Sequence, residues 1–307
     1  MGQSQILAVV VRYKTPIAES QTLQGLAHIL AADPVLADVY RVLVWDNSPE
    51  ALVNPELPRS FEYRHSEQNL GVSGAYNSAM AFAEAEGQTW MLLLDQDSKL
   101  TGAFLHTMYR HSQVLKDRTD IAVIFPTVKV GQTIMSPKRQ LFMRATVYEP
   151  MSRMLEGYAI GINSGSVMRV TSLRKIGGFS TDFWLDYSDL YVLHQFHLNG
   201  ARIWYAADAA MQHEMTIMDY DRLMEPWRYE NFSFAETAFH DLYKGRLENG
   251  LHDLRLLART IRQRLRYKNP VFSQIAWAQL LYRLRVPRKR RLARWKQQGQ
   301  KRIGLNS

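Results

Sequence analysis

Cysteine is missing from all 307 residues. That excludes a disulfide framework and any thiolate-held metal, zinc included, and makes the cytoplasm the default compartment. Long apolar runs are missing too. None reaches the ~18 residues that span a bilayer. The N-terminus has no basic leader, and its apolar run, Ile6 to Val11, is six residues long. It reads as a first strand rather than a signal peptide. Gln5-Ile6 does not complete the Ser/Thr pattern of a myristoylation site after Gly2. No repeat or low-complexity segment is present. The last absence is one-sided: from Leu254 onward there are 16 Lys and Arg and no Asp or Glu. The preceding body holds the other 22 basic residues against all 29 acidic ones, a balance of −7. A mildly acidic globule therefore carries a strongly basic tail.

What is present is ordinary for a globular protein: 46% apolar and 22% charged residues. Strand-like and helix-like stretches alternate. Ile6–Val11 is a continuous β-branched run, followed by helical spacing at Leu23, Leu26, Ile29 and Leu30. A second strand, Val39 to Pro49, ends in the turn residues Asp46-Asn47-Ser48-Pro49. A short strand, a Gly-bearing loop and an Ala-rich helix from about Ser73 to Glu86 come next. Then follow the strand "WMLLLDQDS", the helix "GAFLHTMYRHSQVLK" and the strand "IAVIFPTVKV". This alternation predicts an α/β fold with a mostly parallel central sheet flanked by helices. Further on, "GINSGSVMR" reads as a loop entering a strand, a helix runs to about His197, and "ARIWYAADAAMQHEM" is a strand leading to a loop with His213. The tail is helical in pieces, with breaks expected at Asn249-Gly250, Asn269-Pro270 and Pro287.

Ligands of parallel sheets bind beyond the carboxyl ends of the strands. Four polar clusters follow four strands here: Tyr13/Thr15, Asp46/Asn47, Asn69/Gly71 and Asp95/Asp97. Singly, each reads as a turn. Together they predict one ligand-binding edge. The pair in "LLLDQDS" is the most pointed. Two carboxylates about 4 Å apart at an effective dielectric of about 20 repel by on the order of 4 kcal/mol. In extended backbone, residues i and i+2 face one side. A hard divalent ion shared with substrate phosphates would relieve the repulsion, so Mg²⁺ or Mn²⁺ is the expected cofactor. A solvated turn is the simpler alternative.

The ordered segments "VVVRYKTP" (9–16), "VLVWDNSP" (42–49), "NLGVSGAYNSAM" (69–80), "LLLDQDS" (92–98), "INSGSVMR" (162–169), "IGGFSTDFWLDYSD" (176–189) and "AAMQHE" (209–214) span about residues 6 to 215. The chain resembles inverting glycosyltransferases of family 2, with the GT-A fold. The Asp-Gln-Asp-Ser form resembles the bacterial rhamnosyltransferases that use dTDP-L-rhamnose. The resemblance implies that Asp95, Asp97 and His213 hold the metal, with Asp97 the direct ligand. It implies that Asp46 accepts the N3–H of the pyrimidine, and that Tyr13 and Thr15 lie against the nucleoside. Asn69, Gly71, Asn77, Asp95 and Gln96 would complete the donor site. Asp189 would be the catalytic base, Asp186 would orient acceptor or donor, and Trp184, Asn163 and Ser164 would meet the acceptor. Relatives commonly carry an acidic residue two places after the base and an arginine six places after it; Tyr191 and Gln195 stand there.

These readings predict a catalytic domain over 1–220, with a donor half to about 100 and an acceptor half from about 101, followed by a helical basic region over 221–307. The expected reaction is metal-dependent inverting transfer of a sugar to a saccharide or undecaprenyl-diphosphate-linked saccharide in surface-polysaccharide synthesis. The basic tail, with 271–286 as an interfacial helix, would attach the protein peripherally to the anionic inner face of the cell membrane. A second copy of the chain is the other expected partner for it. Nucleic acid is not expected, because aromatics are sparse among the cations and no reading motif is present. Another UDP- or dTDP-sugar donor and a non-catalytic carbohydrate-binding protein on the same scaffold are the alternatives.

Overall fold

The computed structural model describes residues 6–53, 55–141, 144–212 and 224–304. They form two compact units: residues 6–181 with 188–212, and residues 182–187 with 224–304.

The first unit is built from β1 (Ile6–Arg12), α1 (Gln21–Ala32), α2 (Pro34–Val39), β2 (Tyr40–Asp46), β3 (Phe61–His65), α3 (Gly71–Ala85), β4 (Trp90–Asp95), α4 (Gly102–Val114) and β5 (Ile121–Val130). It continues through β6 (Thr133–Ser136), β7 (Lys138–Leu141), β8 (Arg144–Val147), β9 (Arg153–Met154), β10 (Ala159–Ile160), β11 (Val167–Arg169), α5 (Val170–Lys175), α6 (Ser188–Leu198) and β12 (Arg202–Gln212). The main sheet has the order β3-β2-β1-β4-β11-β5-β12-β9, and β6 pairs with β5. The β3-β2-β1-β4 block is parallel, as is the β5–β12 pair, while β11 lies antiparallel between β4 and β5. The fold is thus the expected α/β architecture with a mostly parallel central sheet between helices.

The β1, β2 and β4 runs lack polar alternation because both sheet faces are covered. Ile6, Ala8, Val10, Leu92 and Leu94 face one apolar layer with Leu23, Leu26 and Phe104. Leu7, Val9, Leu43, Met91 and Leu93 face the other, with Tyr76, Ala79 and Phe196. The short strands β7, β8 and β10 form a separate three-stranded sheet. Their segments of four residues or fewer carry too little periodicity to read in advance.

The second unit contains α7 (Pro226–Tyr243), α8 (Arg246–Arg266), α9 (Val271–Arg285) and α10 (Arg288–Gly304). Breaks fall near Pro270 and Pro287 as expected, but not at Asn249-Gly250. There α8 runs on, because Gly250 stands in its first turns, where Asn249 Nδ2 donates to the carbonyls of His240, Lys244 and Gly245. The interruption lies at Lys244–Gly245 instead, where Glu248 Oε2 accepts the Gly245 N–H at 3.0 Å. Among the described residues no helix is long and apolar enough to cross a membrane.

Candidate active site

β1 neighbours β2 on one side and β4 on the other, so the strand order reverses beside it, and a crevice opens at such a point. The register aligns the strand ends there: Arg12 pairs with Asp46, Val11 with Asp95, and Asp46 with His65.

Asp46 lies at the floor of this edge, fully buried. Its Oδ1 accepts the Ser48 N–H at 2.9 Å, and its Oδ2 accepts the Tyr63 hydroxyl at 2.7 Å and an ion pair from Arg12. Arg12 also donates to Ser48 Oγ at 2.8 Å and to the Thr15 carbonyl at 2.6 Å. The carboxylate expected to read a pyrimidine is therefore committed to an internal network. Tyr63 is pushed above its ordinary pKa by burial first, then by the adjacent Asp46. Arg12 and Tyr63 were not foreseen as partners of Asp46, since only the parallel register brings β1 and β3 to it, whereas Ser48 bonds it locally, two residues on.

The network shapes the loop after β1. Lys14 takes φ 59°, a left-handed value uncommon for a side-chain-bearing residue. The tight turn closes by the Thr15 N–H bond to the Tyr13 carbonyl at 2.8 Å, and the Lys14 N–H donates to Ser48 Oγ at 2.8 Å. Backbone strain of this kind clusters at ligand-binding sites. The Tyr13 N–H is held by Gln96 Oε1 at 3.0 Å.

β4 ends at Asp95, and Gln96-Asp97 is a turn. The i/i+2 strand argument for a shared facing of Asp95 and Asp97 is thereby corrected. The chain turns because the N-terminus of α1 captures it: Ser20 Oγ donates to the Gln96 carbonyl at 2.7 Å, and the Thr22 hydroxyl meets the Asp95 carbonyl. Thr22 Oγ1 also accepts the Ser98 N–H at 2.8 Å. Ser98 Oγ is buried against Ser164 Oγ at 2.9 Å. The result leaves Asp95 half-buried and Asp97 exposed.

Two hard carboxylate donors at a strand end suit Mg²⁺ or Mn²⁺ when phosphate oxygens and water fill the remaining positions. Among the described residues no group of three or more His, Asp or Glu could hold a metal unaided. The expected third ligand, His213, lies outside the described residues.

Gly71 opens α3 at φ 66°, where its N–H is capped by Asn69 Oδ1 at 2.9 Å and its carbonyl accepts Asn47 Nδ2 at 2.9 Å. Asn77, expected in the donor site, also has a structural role. Its carboxamide clamps the Phe179 backbone through two 2.8 Å bonds, Asn77 Nδ2 to the carbonyl and the Phe179 N–H to Oδ1.

Asp189 sits in the first turn of α6, its Oδ1 accepting the Leu190 N–H at 2.7 Å. A helix N-terminus favours an ionised carboxylate. Next to it, Ser188 Oγ accepts Asn163 Nδ2 at 3.0 Å, which ties α6 to the 161–166 turn. That turn needs Gly165 at φ 82°, since a Cβ there would lie 2.2 Å from Met211 Sδ. Of the other residues expected here, Asp186 and Trp184 belong to the second unit. The buried Asp186 carboxylate pairs with Arg228 at 3.0 Å and with Asn231. The Trp184 indole N–H is buried without a partner among the described residues.

Tyr76, on α3, went unnoticed because an aromatic in an Ala-rich helix reads as core. It is fully buried, yet its hydroxyl has no hydrogen-bond partner among the described residues. Burial pushes the phenol well above its ordinary pKa, and the nearby carboxylates of Asp95 and Asp189 add to the effect. One neutral phenol is thus shifted by both Asp95, an expected metal ligand, and Asp189, the expected base. Asn163 Oδ1 is another buried polar atom without a partner among the described residues. Orphaned buried polar atoms ask for a polar ligand or water.

A model of the family described as glycosyl transferase family 2 matches residues 24–177, half of the chain. Among solved structures, the fold is similar to Staphylococcus aureus TarS 1-349, with TM-score 0.50 and 14% identity over 99% of this chain and 92% of that one. It is also similar to TarS 1-349 in complex with UDP, with TM-score 0.47 and 14% identity over 91% and 90% of the two chains. A longer S. aureus TarS structure gives TM-score 0.48 at 14% identity, covering 86% of this chain and 44% of that one. The present chain thus spans under half of that longer relative. No curated protein matches the chain.

Proposed function

The chain belongs to glycosyl transferase family 2, and from that premise we propose that it transfers a sugar, with inversion, from a nucleotide diphosphate donor to a saccharide hydroxyl. The observation that carries this reading is the pair of carboxylates at and just after the β4 end, Asp95 and Asp97, together with Asp189 in the first turn of α6 and a buried Tyr76 hydroxyl, unpartnered among the described residues, whose pKa both Asp95 and Asp189 raise.

Inversion requires a single displacement. The acceptor oxygen attacks the anomeric carbon from the face opposite the diphosphate, and the acceptor proton needs a base. Asp189 takes it, a contribution typically worth about 10²- to 10⁴-fold. Asp95 and Asp97 would hold Mg²⁺ or Mn²⁺ against the diphosphate oxygens, with His213 as a further ligand. Such an ion, when bound, supplies positive charge to the departing diphosphate. The Tyr13–Thr15 loop forms the nucleoside wall, set by Arg12, Ser48 and Gln96. Asp46 acts by fixing that loop, and through it the base.

Residues 1–100 supply the donor half of the catalytic domain and 101–220 the acceptor half, where Asn163, Ser164, Trp184 and Asp186 serve the acceptor. L-rhamnose from dTDP-L-rhamnose is the proposed sugar, on the Asp-Gln-Asp-Ser sequence. A lipid-linked acceptor in surface-polysaccharide synthesis would bring the enzyme to the inner face of the cell membrane, with the basic region 221–307 as its attachment.

The test is nucleotide diphosphate release from a panel of nucleotide sugars with Mn²⁺, with and without rhamnose-bearing or lipid-linked acceptors. Release from dTDP-rhamnose alone supports the full reading, and release from another donor replaces the sugar. No release from any donor, with Asp97→Ala indistinguishable from the parent, removes the enzymatic reading.

A further inference from the structure

The helix α8 is amphipathic in two directions. Its inner face carries His252, Leu256 and Gln263, all buried. The opposite face is bare: Leu247, Leu254, Leu257, Ile261 and Leu265 are exposed, Leu254 at 60% and Leu265 at 83%. Their spacings of seven, three, four and four residues put them on one stripe along the helix. Soluble proteins rarely leave a contiguous apolar stripe of this length uncovered, and such a stripe marks an interaction surface.

The flanks identify the partner. Arg255, Arg262 and Arg266 line one side of the stripe at helical spacing, and Arg246 and Arg264 line the other. The two acidic residues of α8 are already engaged, Glu248 by Lys244 at 3.3 Å and Asp253 by Arg283. An apolar strip between two rows of arginine complements an anionic bilayer surface, with leucines entering the acyl boundary and guanidinium groups meeting phosphates. A protein partner would reward the leucines without needing cations on both flanks.

We infer that the outer face of α8 is the membrane-docking surface, lying flat in the headgroup layer of an anionic leaflet over about 31 Å of helix. This inference rests on the proposal of peripheral attachment but relocates it. The segment expected to be interfacial, 271–286, corresponds to α9, which buries Phe272, Ala276 and Leu280. The Arg-rich α10 supplies charge without a comparable apolar stripe.

The test uses the full chain, sedimented with vesicles of phosphatidylcholine alone or of phosphatidylcholine with phosphatidylglycerol. One variant combines Leu254→Ser, Ile261→Ser and Leu265→Ser; a second combines Arg262→Glu and Arg266→Glu. All five side chains are exposed, so circular dichroism and diphosphate release in solution should match the parent. The parent is expected to sediment only with the anionic vesicles, and each variant to partition on the order of tenfold less. Parent binding that survives both variants overturns the α8 assignment and leaves attachment through the basic region standing. No parent binding to anionic vesicles overturns both. A parent dimer in solution that the leucine variant dissociates, with no vesicle binding, shows the stripe to be a self-association face and overturns the inference as well.

Discussion

Gln96 and Tyr13 are tied by a 3.0 Å hydrogen bond from the Tyr13 amide to the Gln96 carboxamide oxygen. It links the turn that presents Asp97 to the loop proposed to face the nucleoside. Gln96→Ala should cost the loop about 1 kcal/mol of positioning, or roughly fivefold in donor KM, with little change in kcat. Steady-state kinetics at saturating acceptor measure this. A kcat loss at unchanged KM would show that Gln96 acts elsewhere.

Tyr76→Phe separates stability from function. Removing an unpartnered buried hydroxyl should leave the melting temperature unchanged or raised, because the desolvation penalty disappears. If the hydroxyl donates to bound substrate, kcat/KM should fall on the order of tenfold. Equal activity in the two proteins would return Tyr76 to the core.

Asp189→Asn keeps the shape of the side chain and removes its basicity. The expected loss is about 10²- to 10⁴-fold in kcat, with nucleotide affinity by calorimetry unchanged. Near-parental turnover would move the base to another residue. Asp97→Ala, by contrast, should abolish the effect of added Mn²⁺ on nucleotide binding.

The Arg12–Asp46 pair is fully enclosed. Asp46→Ala leaves a buried guanidinium without its counter-charge and should cost about 3–5 kcal/mol. Arg12→Met combined with Asp46→Leu should recover much of that in denaturant titrations while still disturbing the Thr15 loop. A single Asp46→Ala variant as stable as the parent would mean that the pair is not closed in solution.

The second unit carries an acid-sensitive pair. His240 and His252 stack with ring centroids 4.0 Å apart. Burial holds His240 down to about 4 and His252 down to about 2, both opposed by Glu236, with Arg283 reinforcing the depression. Both values lie below the 6.5 of an unfolded histidine, so the unfolded chain binds more protons in between. Stability should be complete above about pH 6.5 and decline as the pH falls toward 4. His240 alone accounts for roughly 3 kcal/mol of that decline. Melting temperature against pH tests this, and a flat profile from 7 to 4 would contradict it. Glu236, held near 2 against its burial by the paired Arg259, stays charged throughout the window.

Much of this fold was legible because the informative stretches are long. Ile6–Val11 and Trp90–Leu94 are continuous apolar runs and could be little other than strands buried on both faces. Asp46 and Asp95 were visible as strand-terminal acids for the same reason. What escaped depends on pairing. That Arg12 meets Asp46 follows from the β1–β2 register, which local spacing does not encode. That Asn77 clamps Phe179 joins positions 102 residues apart. The strand-face argument for Asp97 failed because Ser20 and Thr22, far earlier in the chain, bend the segment after Asp95.

Residues 182–187 lie within the sequence of the first unit but pack with the second. Phe183 meets Phe239 edge-on and Tyr243 and Trp295 at a tilt, and Tyr187, at φ 67°, packs on Phe232 and Phe239. The chain therefore has no single point at which it can be cut into a catalytic fragment and a helical remainder. A truncation ahead of Pro226 would strip the aromatic partners from the six residues that immediately precede Ser188 and Asp189. Loss of activity in such a fragment would not separate a disturbed 182–187 segment from a lost membrane contact, and the two are best pulled apart by point substitutions.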